Sequence, residues 1–139
     1  MTRYVDQVLY MELVLTPEER GVTVLTRLRY DPHDPFAVSV VFHTDVNGSV
    51  PWFFARDLLA RGVLRPSGQG DVQVWPTGEG PDAVLNLALS SPHGAARLTA
   101  PLAVVTQWLD RTYRLVPMGR ETDGLDFDAE LSRLLHGAA

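Results

Sequence analysis

The sequence contains neither cysteine nor lysine among its 139 residues. Without cysteine, disulfides, thiolate nucleophiles, cysteine-ligated zinc sites and iron–sulfur clusters are excluded, and the composition fits a reducing cytoplasm. The arginines form no basic cluster of the kind that attracts nucleic acid or anionic lipid. Long apolar runs are missing too, so we predict neither a signal peptide nor a membrane span.

The composition is that of an ordinary globular domain. Hydrophobic residues make up 45% and charged residues 21%, and 12 basic against 17 acidic residues give a formal charge of −5. A chain of this mass can bury about two thirds of its unfolded surface, which is enough for a core without disulfides or a structural metal. We therefore expect a single domain over residues 1–139.

The first half of the chain predicts three strands and a helix. Apolar and polar residues alternate in residues 5–15, 22–29 and 36–43, and turn-forming residues separate these segments. Ser49 and Pro51 are typical of a helix start, and Gly62 is typical of a helix end, so a helix is predicted between them.

The second half repeats this order. Strands are predicted at residues 72–76, 84–89 and 95–99, and a helix follows Pro101, with Leu102, Val105 and Leu109 on one face. A short amphipathic helix should then end the chain, with a stripe of apolar residues that packs in cis or contributes to a subunit interface: Phe127, Leu131, Leu134 and Leu135. The predicted fold is α+β, a six- to seven-stranded antiparallel sheet or barrel built as two β-β-β-α units, plus this C-terminal helix.

No group of residues has the spacing of a known catalytic or metal centre. The histidines are far apart in the sequence and form no ligand motif: His33, His43, His93 and His136. A hydrolase triad can be assembled only hypothetically, from His43, Asp57 and either Ser90 or Ser91, and the sequence has no strained serine elbow. We therefore predict no catalytic residue, cofactor or metal.

Arg56 and Asp57 lie side by side within an otherwise apolar stretch. Adjacent helical residues point about 100° apart, so the two cannot both lie on the fully apolar face. We expect one of them to be half buried, either paired with a charge or capping a loop, or contributing to a partner surface.

Six ordered segments together resemble the SsgA-like proteins of sporulating actinobacteria. They are residues 28–31 (LRYD), 34–38 (DPFAV), 42–44 (FHT), 52–59 (WFFARDLL), 70–76 (GDVQVWP) and 89–92 (LSSP). The resemblance covers nearly the whole chain, and the length and C-terminal ending are most similar to the SsgB subgroup.

The resemblance implies a non-enzymatic regulator that helps to localise FtsZ, the tubulin-like ring protein, at sporulation septa. It implies an SsgA-type partner, a homo-oligomer (a trimer) and a fold similar to the whirly single-stranded nucleic-acid binders, with β-β-β(-β)-α units. Leu28, Asp57 and Ser90 fall in the matching segments and are the positions expected to matter for activity or for the scaffold.

Two other classes of function stay open from the sequence. A single-stranded nucleic-acid binder would use the sheet face with Arg27, Arg29 and Trp75, although the charge of −5 argues against it. A small-molecule enzyme would rest on His43, Asp57 and Ser90 alone.

Overall fold

A computed structural model describes residues 3–14, 20–44, 48–123 and 135. The described chain folds into one seven-stranded antiparallel sheet, curled into a half-barrel, with two α-helices and a 3₁₀ turn. In chain order the elements are β1 (Val5–Val14), β2 (Arg20–Tyr30), β3 (Ala37–Thr44), β4 (Gly48–Ala55), α1 (Arg56–Gly62), β5 (Val72–Thr77), the 3₁₀ turn (Gly80–Asp82), β6 (Val84–Ser91), β7 (Gly94–Pro101) and α2 (Leu102–Leu115).

The sheet order is β4-β3-β2-β1-β7-β6-β5, so the two repeat units meet at the β1–β7 pair. Glu12 lies opposite Thr99 and Leu13 opposite Leu98 at this junction. Each unit ends in a helix, which confirms the predicted α+β fold and its repeated order. The first unit has four strands rather than three, the form with the additional strand that the family resemblance allowed.

The predicted helix between Ser49 and Gly62 is wrong over its first half. Residues 48–55 form β4, which pairs with β3 along its whole length, from Thr44 opposite Gly48 to Ala37 opposite Ala55. The side chains at 50, 52 and 54 are half-buried while their neighbours are exposed, which is strand periodicity. Pro51 is tolerated because β4 is an edge strand of the sheet.

The core lies on the concave side of the half-barrel, beneath the two helices. α2 buries Val105, Trp108, Leu109 and Thr112, the spacing of one helical face. The indole nitrogen of Trp108 donates a hydrogen bond of 2.9 Å to the main-chain oxygen of Val5, which fixes α2 to the first strand. No helix within the described ranges is long and apolar enough to cross a membrane.

Three members of the predicted C-terminal stripe, Phe127, Leu131 and Leu134, lie outside the described residues. Leu135 is described by itself, and 71% of its surface is exposed.

Candidate functional site: the outer face of the sheet

The convex side of β1 to β4 carries several exposed apolar side chains among its polar ones, although a solvated antiparallel sheet face is normally polar. Strand register aligns them in rows: Val8, Arg27, Val41 and Pro51 form one row, with Tyr10 and Leu25 in the next row and Phe53 in the row on the other side. We call this surface the outer face and define it by six residues: Val8, Tyr10, Leu25, Val41, Pro51 and Phe53.

The outer face is accessible to solvent. Exposed fractions are 52% for Val8, 65% for Tyr10, 37% for Leu25 and 67% for Phe53. Exposed apolar side chains spread over four strands, with polar ones beside them at Ser39, His43 and Ser49, are typical of a protein interaction site.

Arg27 lies in the central row of the outer face, between Val8 of β1 and Val41 of β3. Among the described residues no carboxylate forms an ion pair with it, whereas the neighbouring Arg29 is held by Asp6. A guanidinium that no described carboxylate neutralises, and that has Val8 and Val41 as its cross-strand neighbours, favours binding of a carboxylate from outside.

Arg29 is neutralised at the edge of the outer face. Its guanidinium donates two hydrogen bonds to the Asp6 carboxylate, of 2.9 and 2.7 Å, and lies 4.2 Å from the ring centroid of Tyr4. The hydrogen bond with Asp6 raises the pKa of Arg29 above its usual value. The pair therefore offers a fixed, nearly neutral border rather than a free cation.

The three residues proposed for the nucleic-acid alternative are not gathered into one binding groove. Arg27 and Arg29 are on β2, while Trp75 is on β5, and β1, β7 and β6 lie between these strands. Instead, the guanidinium carbon of Arg97 lies 5.8 Å from the ring centroid of Trp75.

The family-motif positions occupy three different environments. Leu28 is in the core and only 1% exposed. Asp57 lies on the surface in the first turn of α1, where its carboxylate is 3.0 Å from Arg61. Ser90 is exposed near the end of β6, and its main-chain N–H donates a hydrogen bond of 2.9 Å to the main-chain carbonyl oxygen of Asp71.

The structure does not bring together the hypothetical catalytic triad of His43, Asp57 and Ser90. His43 lies opposite Ser49 at one end of β4, and Asp57 follows the other end, about 20 Å away at 3.3 Å per residue. The His43 ring contacts the Ser49 hydroxyl at 3.1 Å instead. Within the described part of the chain, no cluster of three or more histidine or carboxylate groups has the arrangement to hold a metal ion.

Of the adjacent charged pair, Arg56 is the buried residue, with 2% of its surface exposed. Its Nη1 donates to the carbonyl oxygens of Thr112, at 3.1 Å, and Val116, at 2.9 Å. Its Nη2 lies 4.0 Å from a carboxylate oxygen of Glu121. Arg56 thus donates to carbonyl oxygens at the end of α2, which is a structural role. The only feature of the sequence that indicated this role is a charged residue within an apolar stretch.

Comparisons with known proteins agree with this fold. Residues 24–121 match the family model described as Streptomyces sporulation and cell division protein, SsgA. The chain is 43% identical to the sporulation-specific cell division protein SsgB of Thermobifida fusca over 122 residues, 88% of each protein. It is 46% identical to SsgB of Streptomyces coelicolor over 127 residues, covering 91% of this chain and 92% of that protein.

Two solved structures are similar over most of the chain. The crystal structure of the SsgA-like sporulation-specific cell division protein of Thermobifida fusca has a TM-score of 0.83 and 39% identity, and the match covers 96% of both chains. An SsgB structure, described with mutations that correlate to longitudinal cell division during sporulation of Streptomyces coelicolor, has a TM-score of 0.79 and 45% identity and covers 87% of this chain and 93% of that one. The chain therefore belongs to the SsgA family of sporulation and cell division proteins, whose curated relatives act in cell division during sporulation.

Proposed function

We propose that this protein is a non-enzymatic adaptor of sporulation-specific cell division that helps to bring FtsZ to septation sites, together with an SsgA-type partner. Family membership supports the division role. The observation that carries the adaptor function is the outer face, because an apolar surface of this extent is more useful for holding another protein than for transforming a small molecule.

The outer face also indicates the chemistry of its partner. A bound segment would cover Tyr10 and Phe53 with apolar side chains and place a carboxylate against Arg27. Aromatic and arginine side chains are the residues that most often dominate binding energy at protein interfaces. Because the protein has a formal charge of −5, it repels other negatively charged surfaces. Binding would therefore be restricted to partners that place their negative charge against Arg27.

An enzymatic function is not supported by the geometry of the candidate residues. His43 and Asp57 lie at opposite ends of β4, and Ser90 is on a strand of the other repeat unit. General base and nucleophile must lie within hydrogen-bond reach of each other, and these three do not.

Co-sedimentation with GTP-assembled FtsZ of the same organism tests the proposal. We expect saturable pelleting that depends on GTP, weakened at least about tenfold by Phe53→Ser or Arg27→Glu. Leu64→Ser and Arg65→Glu are matched controls, because both residues are exposed on the connection between α1 and β5, away from the outer face.

Each alternative result has a definite meaning. Equal pelleting of all four variants would exclude the outer face as the FtsZ contact. No pelleting of the wild type would exclude direct binding, and the same assay with the SsgA-type partner present would then test a bridged complex. Anisotropy with labelled single-stranded DNA at low salt tests the nucleic-acid alternative, for which we expect no binding; salt-sensitive binding would favour that alternative.

A further inference from the structure

A polar pocket of about 420 Å³ lies where α1 ends and the chain continues towards β5. Leu58 and Arg61 line it from α1, and the other lining residues belong to the connection that follows: Arg65, Pro66, Ser67, Gly68 and Gln69. We call it the connection pocket. None of the described lining residues is acidic, although the protein has 17 acidic residues against 12 basic ones.

Main-chain hydrogen bonds hold the connection in place. Ser67 and Val74 exchange two of them, of 2.8 and 2.9 Å, and these close residues 68–73 into a loop beside the sheet. Gly68 has a φ of +95°, and a Cβ at this position would overlap the main-chain oxygen of Val72, so the loop requires glycine here. The main chain of the connection pocket is therefore preformed, and a ligand would not have to order it.

Two guanidinium groups give the connection pocket its positive charge. Arg61 and Arg65 are four residues apart, and both are exposed. Arg61 lies 3.0 Å from the Asp57 carboxylate, which offsets part of its charge. Arg65 has no ion pair, side-chain hydrogen bond or ring contact within the described part of the chain. The charge and the N–H donors of Arg65 are therefore available to a ligand.

Uncharged donors belong to the same pocket. The main-chain N–H groups of Gly68 and Gln69 donate to no acceptor in residues 48–123, and the Gln69 amide group is also unbonded there. The donors thus come from two segments, the end of α1 and the loop. A carboxylate has only two acceptor oxygens in one plane, whereas a phosphate presents three acceptor oxygens to donors on several sides. This set of donors favours a phosphate group.

We propose that the connection pocket binds a single phosphate group, with Arg61 and Arg65 on one side and the loop at Gly68 and Gln69 on the other. Two arginines are too few for the extended contact that a nucleic-acid backbone requires. The phosphate is therefore carried by a small soluble molecule or by a lipid headgroup. The connection pocket shares no residue with the outer face, so this site does not rest on the proposed function.

Nuclear magnetic resonance of the full chain, titrated with inorganic phosphate, is the first test. Sodium chloride at equal ionic strength is the reference, because screening alone changes the signals of exposed charges. We expect saturable shifts of the Nε–H signals of Arg61 and Arg65 and of the main-chain N–H signals of Gly68 and Gln69. If these signals do not shift saturably, or if chloride shifts them equally, the proposal is wrong.

Substitution of Arg65 tests whether its side chain binds the phosphate. Arg65→Gln should weaken phosphate binding at least about tenfold, because it removes the guanidinium that has no partner. Arg114→Gln is the matched control, since it makes the same change at an exposed arginine of α2 and should leave the affinity unchanged. Equal affinities of wild type and Arg65→Gln would refute the assignment. Thermal unfolding of each variant verifies that it is folded.

Asp57 provides a test of opposite sign. Asp57→Asn should strengthen phosphate binding about two- to fivefold, because the carboxylate no longer offsets the charge of Arg61. Asp110→Asn removes the same charge from an exposed position of α2 and should have little effect. Unchanged or weaker binding by Asp57→Asn would contradict the placement of the phosphate against Arg61.

Two further arms identify the molecule that carries the phosphate. Phosphoserine tests a soluble monoester, which should compete with inorganic phosphate for the same signals. Vesicles of phosphatidylcholine, with and without phosphatidic acid, test a lipid headgroup. Sedimentation that needs phosphatidic acid and is abolished by Arg65→Gln would assign the phosphate to a lipid. Competition by phosphoserine without sedimentation would assign it to a soluble ligand.

FtsZ co-sedimentation distinguishes this site from the outer face. Arg65→Glu should abolish phosphate binding and keep the pelleting with FtsZ, whereas Arg27→Glu should reduce the pelleting and keep phosphate binding. A wild-type chain that pellets with FtsZ but binds no phosphate would overturn this inference and leave the proposed function intact. Abolished phosphate binding in Arg27→Glu would contradict the location of the site.

Discussion

The guanidinium carbon of Arg56 lies 3.9 Å from the ring centroid of Tyr113, and this stacking joins the first residue of α1 to the last turn of α2. The same guanidinium lies 4.7 Å from the ring centroid of Tyr30 at the end of β2. A single buried cation therefore connects the helix of one repeat unit to the helix of the other.

We predict that Arg56→Lys destabilises the protein by about 2–4 kcal/mol. Lysine keeps the charge but lacks the planar group that stacks on two rings and donates to the Thr112 and Val116 oxygens together. Urea unfolding followed by tryptophan fluorescence measures the loss. Arg61→Lys, at an exposed ion pair, is the control and should change stability by less than about 0.5 kcal/mol. Equal stability of both variants would contradict this role for Arg56.

We predict that the protein loses stability above pH 10 because of Tyr30. Burial raises the pKa of Tyr30 from 10.0 to about 12, although the nearby Arg56 lowers it. Below pH 10 both states hold the proton and the stabilising effect is complete. Between pH 10 and about 12 the unfolded tyrosine ionises while Tyr30 stays protonated, so stability falls by about 2 kcal/mol, and the loss is complete above pH 12.

Tyr30→Phe separates this effect from general alkaline unfolding. It removes the hydrogen bond of 2.9 Å from the Tyr30 hydroxyl to the Pro35 oxygen, so the free energy of unfolding at pH 8 should fall by about 1–2 kcal/mol. Its further decrease up to pH 12 should be smaller than in the wild type. Tyr10→Phe, at an exposed position, should leave the wild-type curve unchanged. Parallel curves for wild type and Tyr30→Phe would refute the assignment.

We predict that Gly62→Ala is destabilising even though alanine favours helices. A Cβ at Gly62 would lie 2.5 Å from Cβ and Cγ1 of Val74, where the end of α1 packs against β5. The overlap should cost about 1–3 kcal/mol, more than the gain in helix propensity of about 1 kcal/mol.

Adding Val74→Gly to Gly62→Ala tests the cause of that loss, because glycine removes both of the Val74 carbons that the new methyl group would overlap. The double variant should be more stable than the sum of the two single effects predicts, by at least about 0.5 kcal/mol, because the overlap is then relieved. Thermal unfolding of the four chains gives this coupling. Additive effects would show that the overlap is not the cause.

We predict that Leu28→Ala and Asp57→Ala affect the protein in different ways. Leu28 is buried, so its truncation should cost about 2–5 kcal/mol. Asp57 forms only an exposed pair with Arg61, so Asp57→Ala should cost less than about 0.5 kcal/mol. Ser90→Ala should also be nearly neutral, because the fixed contact of Ser90 is made by its main chain. Urea unfolding checks all three.

FtsZ co-sedimentation then separates scaffold from surface. Reduced pelleting by Asp57→Ala in a chain of normal stability would identify α1 as part of a binding surface. A large loss of stability in Asp57→Ala would contradict the exposed position of its carboxylate.

Local alternation and turn residues predicted most of the strands, because each strand buries one side chain in two. Residues 22–29 and 84–89 show this pattern and lie within β2 and β6. The register between strands was not predictable, because the pattern of one strand does not reveal which residue of another it faces. The outer face depends on that register, since Val8, Val41 and Pro51 come from three strands.

The sequence alone determined the antiparallel α+β class, the two repeated units, the family and the partial burial of one member of the adjacent pair Arg56 and Asp57. Only the tertiary structure decided that residues 48–55 pair with β3 as a strand, since Ser49 and Pro51 favour a helix start locally and long-range hydrogen bonds outweigh that preference. It also decided that Arg56 rather than Asp57 is buried. The physical reason is that the end of α2, more than forty residues later in the chain, places the carbonyl oxygens of Thr112 and Val116 where an N–H donor can bond to them and a carboxylate cannot.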